Sequence, residues 1–187
     1  MRKPLVALVG RPNVGKSALF NRLVGERRAV VDEIPGTTRD RLIGQFEWRG
    51  AEFRVVDTGG IEIYQPKGSR DESPLAEGSK AFVPQIRAQA LAAVEQADAI
   101  IFVVDGDAGI TAADEDIAEI LRRTEKTVVI AANKLDHVKH NDAAVEFYGL
   151  GVGEVFPISA IHGLGVGDLL DAVYFGVKET VEMPETP

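Results

Sequence analysis

Five apolar residues, Leu5–Val9, run without a break into Gly10-Arg11-Pro12-Asn13-Val14-Gly15-Lys16-Ser17, and helical periodicity begins at Lys16. This is G-x-x-x-x-G-K-[ST] spacing in the strand–loop–helix setting that gives it meaning. A buried strand must hand over to a helix through one tight loop, which commits the chain to layers of helix on sheet. Gly10 and Gly15 let the backbone curl until several N–H groups face one anion. The helix start adds positive potential. Lys16 then brings a point charge to the β- and γ-phosphates of a nucleotide, and Ser17 offers a hydroxyl to Mg²⁺. The rival dinucleotide spacing, G-x-G-x-x-G, is absent after this strand.

The strand–helix alternation continues. Residues 99–104 (AIIFVV), 127–132 (TVVIAA) and the shorter 155–158 are apolar on both faces, as parallel strands under helices are. A helix predicted over 16–24 follows the loop, and others are predicted over 85–97, 111–123 and 166–178. The first of these three places Ile86, Ala90, Leu91 and Val94 on one face. The second opens on Thr111 with Asp114 three residues on, and buries Ile117, Ile120 and Leu121. The third buries Leu169, Leu170, Val173 and Val177. Residues 44–48 and 52–56 alternate about Arg49-Gly50 and predict a hairpin, hence one antiparallel edge strand beside a mostly parallel sheet. Phe46, Trp48 and Phe53 in that hairpin are read as sheet packing. Two stretches, 26–40 and 63–80, lack periodicity, and loops of such length in a compact domain are functional or disordered. The expected class is α/β.

Composition narrows the chemistry. The 187 residues contain no cysteine, which excludes disulfides, thiolate catalysis and Cys-based zinc sites. With 21 basic and 29 acidic residues, the net charge of −8 argues against gripping nucleic acid by bulk charge. No apolar run has membrane-spanning length, and the run after Met1-Arg2-Lys3-Pro4 is too short for a secretory signal. No membrane partner and a cytoplasmic location are therefore expected.

Three further motifs follow in order. Asp57-Thr58-Gly59-Gly60 ends the second hairpin strand. An Asp there can hold the shell of Mg²⁺, and the Gly60 N–H can approach a γ-phosphate because no side chain blocks it. Thr37 and Thr38, after Pro35-Gly36, offer a second hydroxyl to Mg²⁺ or are incidental to a solvated turn. Asn133-Lys134-Leu135-Asp136 follows an apolar strand. The acceptor-only Asp136 carboxylate suits guanine, whose N1–H and N2–H₂ donate side by side; adenine presents an acceptor at N1. Asn133 can bond the base N7 and tie loops together, and the Lys134 stem can lie across the ring. Ser159-Ala160 follows the last strand, and a backbone N–H there can meet the guanine O6. His137, His140 and His162 lack a convincing ligand pattern and are read as solvated. Arg27-Arg28 and Arg122-Arg123 are read as solvated faces.

The series GRPNVGKS, GTTRD, DTGG, NKLD and SA resembles the GTPase family of P-loop proteins over the whole chain. Within it, GRPNVGKSALFNRLVG is similar to the bacterial Era/MnmE/Der branch. DTGGI, FVVDGDAGITAADEDIAEILRR and YGLGVGEVFPISAIHGLGVGDLLDAV are most similar to the first GTPase domain of the tandem-domain Der (EngA) group. The resemblance implies a P-loop NTPase three-layer sandwich, a GTPase (G) domain over 1–181 and a linker or chain end over 182–187. It implies binding of GTP and GDP through Gly10 to Ser17, Asp57, Thr58, Gly59, Gly60, Ile61, Asn133 to Asp136, Ser159 and Ala160. It implies Mg²⁺ held by Ser17, Thr38 and Asp57, and chemistry at Lys16, Asn13, Thr38 and Gly60. Many GTPases place a water-orienting Gln where this chain has Ile61, so no catalytic base is assigned. In relatives the residue matching Asn13 helps hold K⁺ where an arginine finger would put its charge; the alternative is that Asn13 only caps the loop. The segment 63–80 is longer than the family pattern. The family implies a second GTPase domain, a KH-like domain and the large ribosomal subunit as partners. The charge argues against direct RNA contact by this unit. The expected function is a GTP-hydrolysing switch in large-subunit assembly. The alternative is a nucleotide-gated binding module with negligible hydrolysis alone.

Overall fold

Side chains of a strand alternate between its two faces, so a strand apolar throughout requires cover on both sides. The computed structural model, which describes residues 2–25, 30–33, 40–58, 76–136 and 138–179, supplies that cover. Leu5–Val9 forms β1, the central strand. Lys16–Val24 is α1, Val30–Glu33 is β2, Asp40–Trp48 is β3 and Ala51–Asp57 is β4. Ala76–Gln96 is α2, Ala99–Asp105 is β5, Ala112–Leu121 is α3 and Thr127–Asn133 is β6. A 3-10 run, Val138–Leu150, leads to β7, Glu154–Pro157, and α4 is Val166–Lys178. The seven strands lie in the order β2-β3-β4-β1-β5-β6-β7. β4, β1, β5, β6 and β7 are parallel; β3 is antiparallel to both β4 and β2.

The alternation sorts the core into two layers. Val6, Leu8, Ile101, Val103, Val129 and Ala131 face Leu19, Phe20 and Val24 of α1 and Leu169, Leu170, Val173 and Val177 of α4. Ala7, Val9, Ile100, Phe102, Val104, Ile130 and Ala132 face α2, α3 and the 3-10 run, which contributes Phe147 and Leu150. Completely burying a side chain such as Phe20 or Phe102 stabilises by about 1.5–3 kcal/mol relative to exposure, so these layers rather than surface ion pairs hold the sheet. In the hairpin, Phe46 and Phe53 stack at 5.0 Å between centroids, and Trp48 packs at the edge of the first layer while its Nε1 donates to Asp171.

Helix starts are visibly encoded. Thr111 accepts the Asp114 N–H while Asp114 accepts the Thr111 N–H, a reciprocal capping box on α3. α1 and α4 lie where the sequence predicts them, α1 opening from Gly15 and α4 from Gly165. Three expectations need correction. The stretch 26–40, read as irregular, contains β2, whose four residues are too few for a pattern and are held as a strand by pairing with β3. The antiparallel edge is therefore two strands deep. The stretch 63–80, read as lacking periodicity, gives way at Ala76 to α2, which runs through Pro84 to Gln96 although a proline has no N–H for the preceding turn to bond. Leu91, expected on the buried face, is 52% exposed, and the stripe runs Ile86, Ala90, Ala93 and Ala97 instead. The 3-10 run has no sequence-level forecast. The 182–187 tail lies outside the described residues.

Candidate functional site

The chain leaves β1 for β4 on one side and β5 on the other. Such a reversal opens a crevice at the carboxyl ends of parallel strands. The loop after β1 fills it. Gly10 sits so close to β5 that a Cβ would collide with the Val103 carbonyl. Gly15 adopts φ 97°, which disfavours any side chain, and a Cβ there would collide with Asn133 Nδ2. Gly15 is also the cap residue of α1 and gives it no side-chain partner, so the first amides of α1 face the loop uncapped. The Lys16 side chain is buried and folds over the loop, its Nζ donating to the Gly10 carbonyl and to the Arg11 carbonyl at 2.9 Å.

β1 and β4 pair with Leu8 opposite Asp57. That register sets the buried Asp57 carboxylate beside α1, where the Ser17 hydroxyl donates to Asp57 Oδ2 at 3.4 Å. A hydroxyl and a carboxylate converging beside a phosphate loop are hard oxygen donors, a set that fits Mg²⁺. Thr58 is buried and its hydroxyl donates to the Leu8 carbonyl at 2.7 Å, so its side chain ties β4 to β1.

The base side is built from β6 and the loop after β7. Asp105 and Asn133 are paired across β5 and β6. Asn133 Nδ2 donates to the Val14 carbonyl at 2.9 Å, and Asn133 Oδ1 accepts the Ala160 N–H at 2.9 Å. One buried amide thus joins the phosphate loop to the Ser159-Ala160 loop. Lys134, at φ 66°, donates to the Asn13 carbonyl at 2.7 Å and to Asp105 Oδ2 at 3.1 Å. Burial alone would raise the pKa of Asp105, but the Lys134 hydrogen bond and charge and the Ala108 and Asp107 amides outweigh it and hold the carboxyl below its ordinary range. Ser159 is fully buried and donates to Asp136 Oδ1 at 2.7 Å, which fixes the orientation of a carboxylate that stays 45% exposed. His162 Nε2 stands 4.0 Å from the same oxygen.

The structure therefore brings Gly10, Lys16, Ser17, Asp57, Asn133, Lys134, Asp136, Ser159 and Ala160 to one end of the sheet. Val14 and Leu135 are buried in the core, so only their backbone is open to a ligand at this end of the sheet. Asn13, at φ 67°, is exposed on the loop beside Pro12. Arg11 turns away toward α3, its Nε 3.6 Å from Asp114 Oδ1, too long for a hydrogen bond; both buried atoms lack one among the described residues. Burial pushes the Asp114 carboxyl up, against the pull of Thr111 and of the Arg11 charge. Thr37, Thr38, Gly59, Gly60, Ile61 and His137 lie outside the described residues. In the loop expected to offer a backbone donor to the guanine O6, the Ala160 N–H is engaged by Asn133 Oδ1. Asp105 was missed by the sequence reading, although an Asp ending an apolar strand opposite Asn133 is the available signal. Among the described residues, no cluster of three His, Cys, Asp or Glu side chains stands ready for a metal, and no helix is long and apolar enough to cross a membrane.

Residues 5–134 match the family described as 50S ribosome-binding GTPase. The chain is 49% identical over 187 residues to the GTPase Der of Listeria welshimeri, covering 99% of this chain and 40% of that protein. It is 56% identical over 172 residues to the GTPase Der of Chloroflexus aurantiacus, covering 91% of this chain and 36% of that protein. It thus spans well under half the length of these relatives. Among solved structures, it is similar to Era in complex with MgGDPNP and nucleotides 1506–1542 of 16S ribosomal RNA, at 26% identity and a TM-score of 0.65, covering 100% of this chain and 59% of that one. A match that runs from β1 to Lys134 takes in the phosphate loop, Asp57 and the start of the base-side motif, and the chain accordingly belongs to the 50S ribosome-binding GTPase family.

Proposed function

We propose that this chain binds GTP and GDP and hydrolyses GTP, and that the nucleotide state is read by other parts of a ribosome-assembly protein. The observation that carries the reading is the double bond-holding of Asn133, which locks the Val14 carbonyl and the Ala160 N–H into one site. Phosphates would lie on the amides of Gly15, Lys16 and Ser17. Lys16 would exchange its two carbonyl partners for β- and γ-phosphate oxygens. Guanine would set its N1–H and N2–H₂ against Asp136, held by Ser159, with the Lys134 stem across the ring.

Ser17 and Asp57, with Thr38, would hold Mg²⁺. Bound there, Mg²⁺ supplies charge neutralisation at the phosphates. Asn13 would help hold K⁺, and K⁺ supplies positive charge where an arginine finger would place it. The exposed side chain of Asn13 at the loop supports that assignment. Ile61 carries no amide to orient the attacking water, so turnover by this unit alone is expected to be slow. Release of the loop holding Thr38 on loss of the γ-phosphate would report the nucleotide state. The family and the Era likeness support a ribosomal partner; the large subunit, a second GTPase domain, a KH-like domain and a cytoplasmic location belong to the same proposal.

The second reading, a nucleotide-gated binding module with negligible hydrolysis alone, is kept by Ile61. Phosphate release from GTP with Mg²⁺ in matched KCl and NaCl separates the two. Faster turnover in KCl supports the hydrolysing switch. No turnover in either salt, with GTP bound, supports the gated module. Asn13→Ala is expected to abolish the KCl stimulation while GDP binding, measured by titration, changes little. Stimulation that persists in this variant places the ion elsewhere.

A further inference from the structure

Arg22 lies on α1, the helix that begins with Lys16 and Ser17, and reaches the loop after β7. Its Nε donates to the Ala160 carbonyl at 3.0 Å and its Nη2 to the Ile161 carbonyl. Gly163, at φ 73°, rests against the same guanidinium, and a Cβ there would stand 3.3 Å from Nη1. The loop is closed at its base by Ser159 and Leu164, whose N–H and carbonyl groups bond both ways at 3.0 and 3.1 Å. Arg22 braces the residues between. A planar guanidinium catches two carbonyls at once, which a point-like ammonium does not.

In a trans peptide the C=O and N–H point opposite ways. With the Ala160 and Ile161 carbonyls drawn to α1, the Ile161 and His162 N–H groups turn away from it. The His162 N–H shows the consequence: it donates at 3.3 Å to Ser159 Oγ, the hydroxyl that orients Asp136. The Ala160 N–H is engaged by Asn133. The Ile161 N–H is the remaining donor whose direction Arg22 sets through its own peptide.

We propose that Arg22 is a positioning residue for base recognition, holding the Ala160–Ile161 peptide so that its N–H meets the O6 of guanine. The proposal rests on the guanine reading above and names the donor for O6 and the brace that aims it. It also links the two halves of the site through α1, which carries the phosphate residues at one end and the brace at the other.

The test compares GDP with 6-thio-GDP, in which a poorer acceptor replaces O6, and with ADP. Dissociation constants are measured for the wild-type chain, Arg22→Met and Arg22→Lys. Arg22 is exposed, so neither variant is expected to unfold, and circular dichroism melts check this. The proposal expects Arg22→Met to bind GDP about tenfold more weakly, equivalent to about 1.4 kcal/mol, with 6-thio-GDP affinity almost unchanged. Arg22→Lys should recover part of the lost GDP over 6-thio-GDP preference. An equal loss for both ligands, or no loss for either, overturns the proposal while leaving the guanine reading intact. Equal binding of GDP and ADP by the wild-type chain overturns the guanine reading, and this proposal with it.

Discussion

Asp136→Asn is expected to weaken GDP binding by about a hundredfold or more and to make xanthosine diphosphate the better ligand. In the proposed base site the carboxylate would face guanine with two acceptors, and hydrogen bonds to a charged group contribute about 1.5–3 kcal/mol each. The replacement amide keeps one acceptor and turns the other into a donor. Ser159 decides which way it points. Its hydroxyl donates to Oδ1, so an amide oxygen takes that position and the NH₂ faces the base. There it opposes a guanine N–H but meets the C2 oxygen of xanthine. Competition titrations with GDP and xanthosine diphosphate read the change. Unchanged preference for GDP would remove Asp136 from base recognition.

The second large effect is expected at Lys16. Lys16→Ala should reduce GTP affinity by roughly a hundredfold and abolish turnover while the circular dichroism spectrum stays native. Two charge-assisted bonds to phosphate oxygens contribute about 3–6 kcal/mol together, but the bonds to the Gly10 and Arg11 carbonyls are given up on binding, so the net is smaller. Those two carbonyls also lose their partner in the variant. Each such loss costs about 1 kcal/mol, a modest part of the roughly 5–15 kcal/mol that holds a domain together. Fluorescent-nucleotide titration measures the affinity. Retained tight binding and turnover would contradict the phosphate-loop assignment.

Local chemistry was legible in the sequence; distant chemistry was not. The loop from Gly10 to Ser17 could be read because its constraints lie within one turn of chain, and β1, β5, β6 and α4 because their apolar patterns are continuous. The capping box at Thr111 and Asp114 was equally local. β2 was hidden because four residues carry no pattern and its reason to be a strand is β3. α2 was cut short because the stretch 63–80 ahead of it is polar and carries no apolar period, and Leu91 was misplaced because the buried stripe runs through the small residues Ala90, Ala93 and Ala97, which give a weak apolar signal. Asp105 joins the site only through a cross-strand register, and Arg22 only across 138 residues of chain. Asp105 leaves only the mark of an Asp at the end of an apolar strand, and the Arg22 contact leaves no mark in sequence spacing. The same holds for Arg122, read as a solvated face, whose Nε donates at 2.7 Å to the Leu150 carbonyl and pins the end of the 3-10 run.

The central claim is that this site selects guanine nucleotide and acts on its γ-phosphate. It is tested most directly by phosphate release from GTP and from ATP, with Mg²⁺ in KCl, by the wild-type chain and by Lys16→Ala. The account expects release from GTP alone, by the wild-type chain alone. Equal release from ATP, or release undiminished in Lys16→Ala, would contradict it.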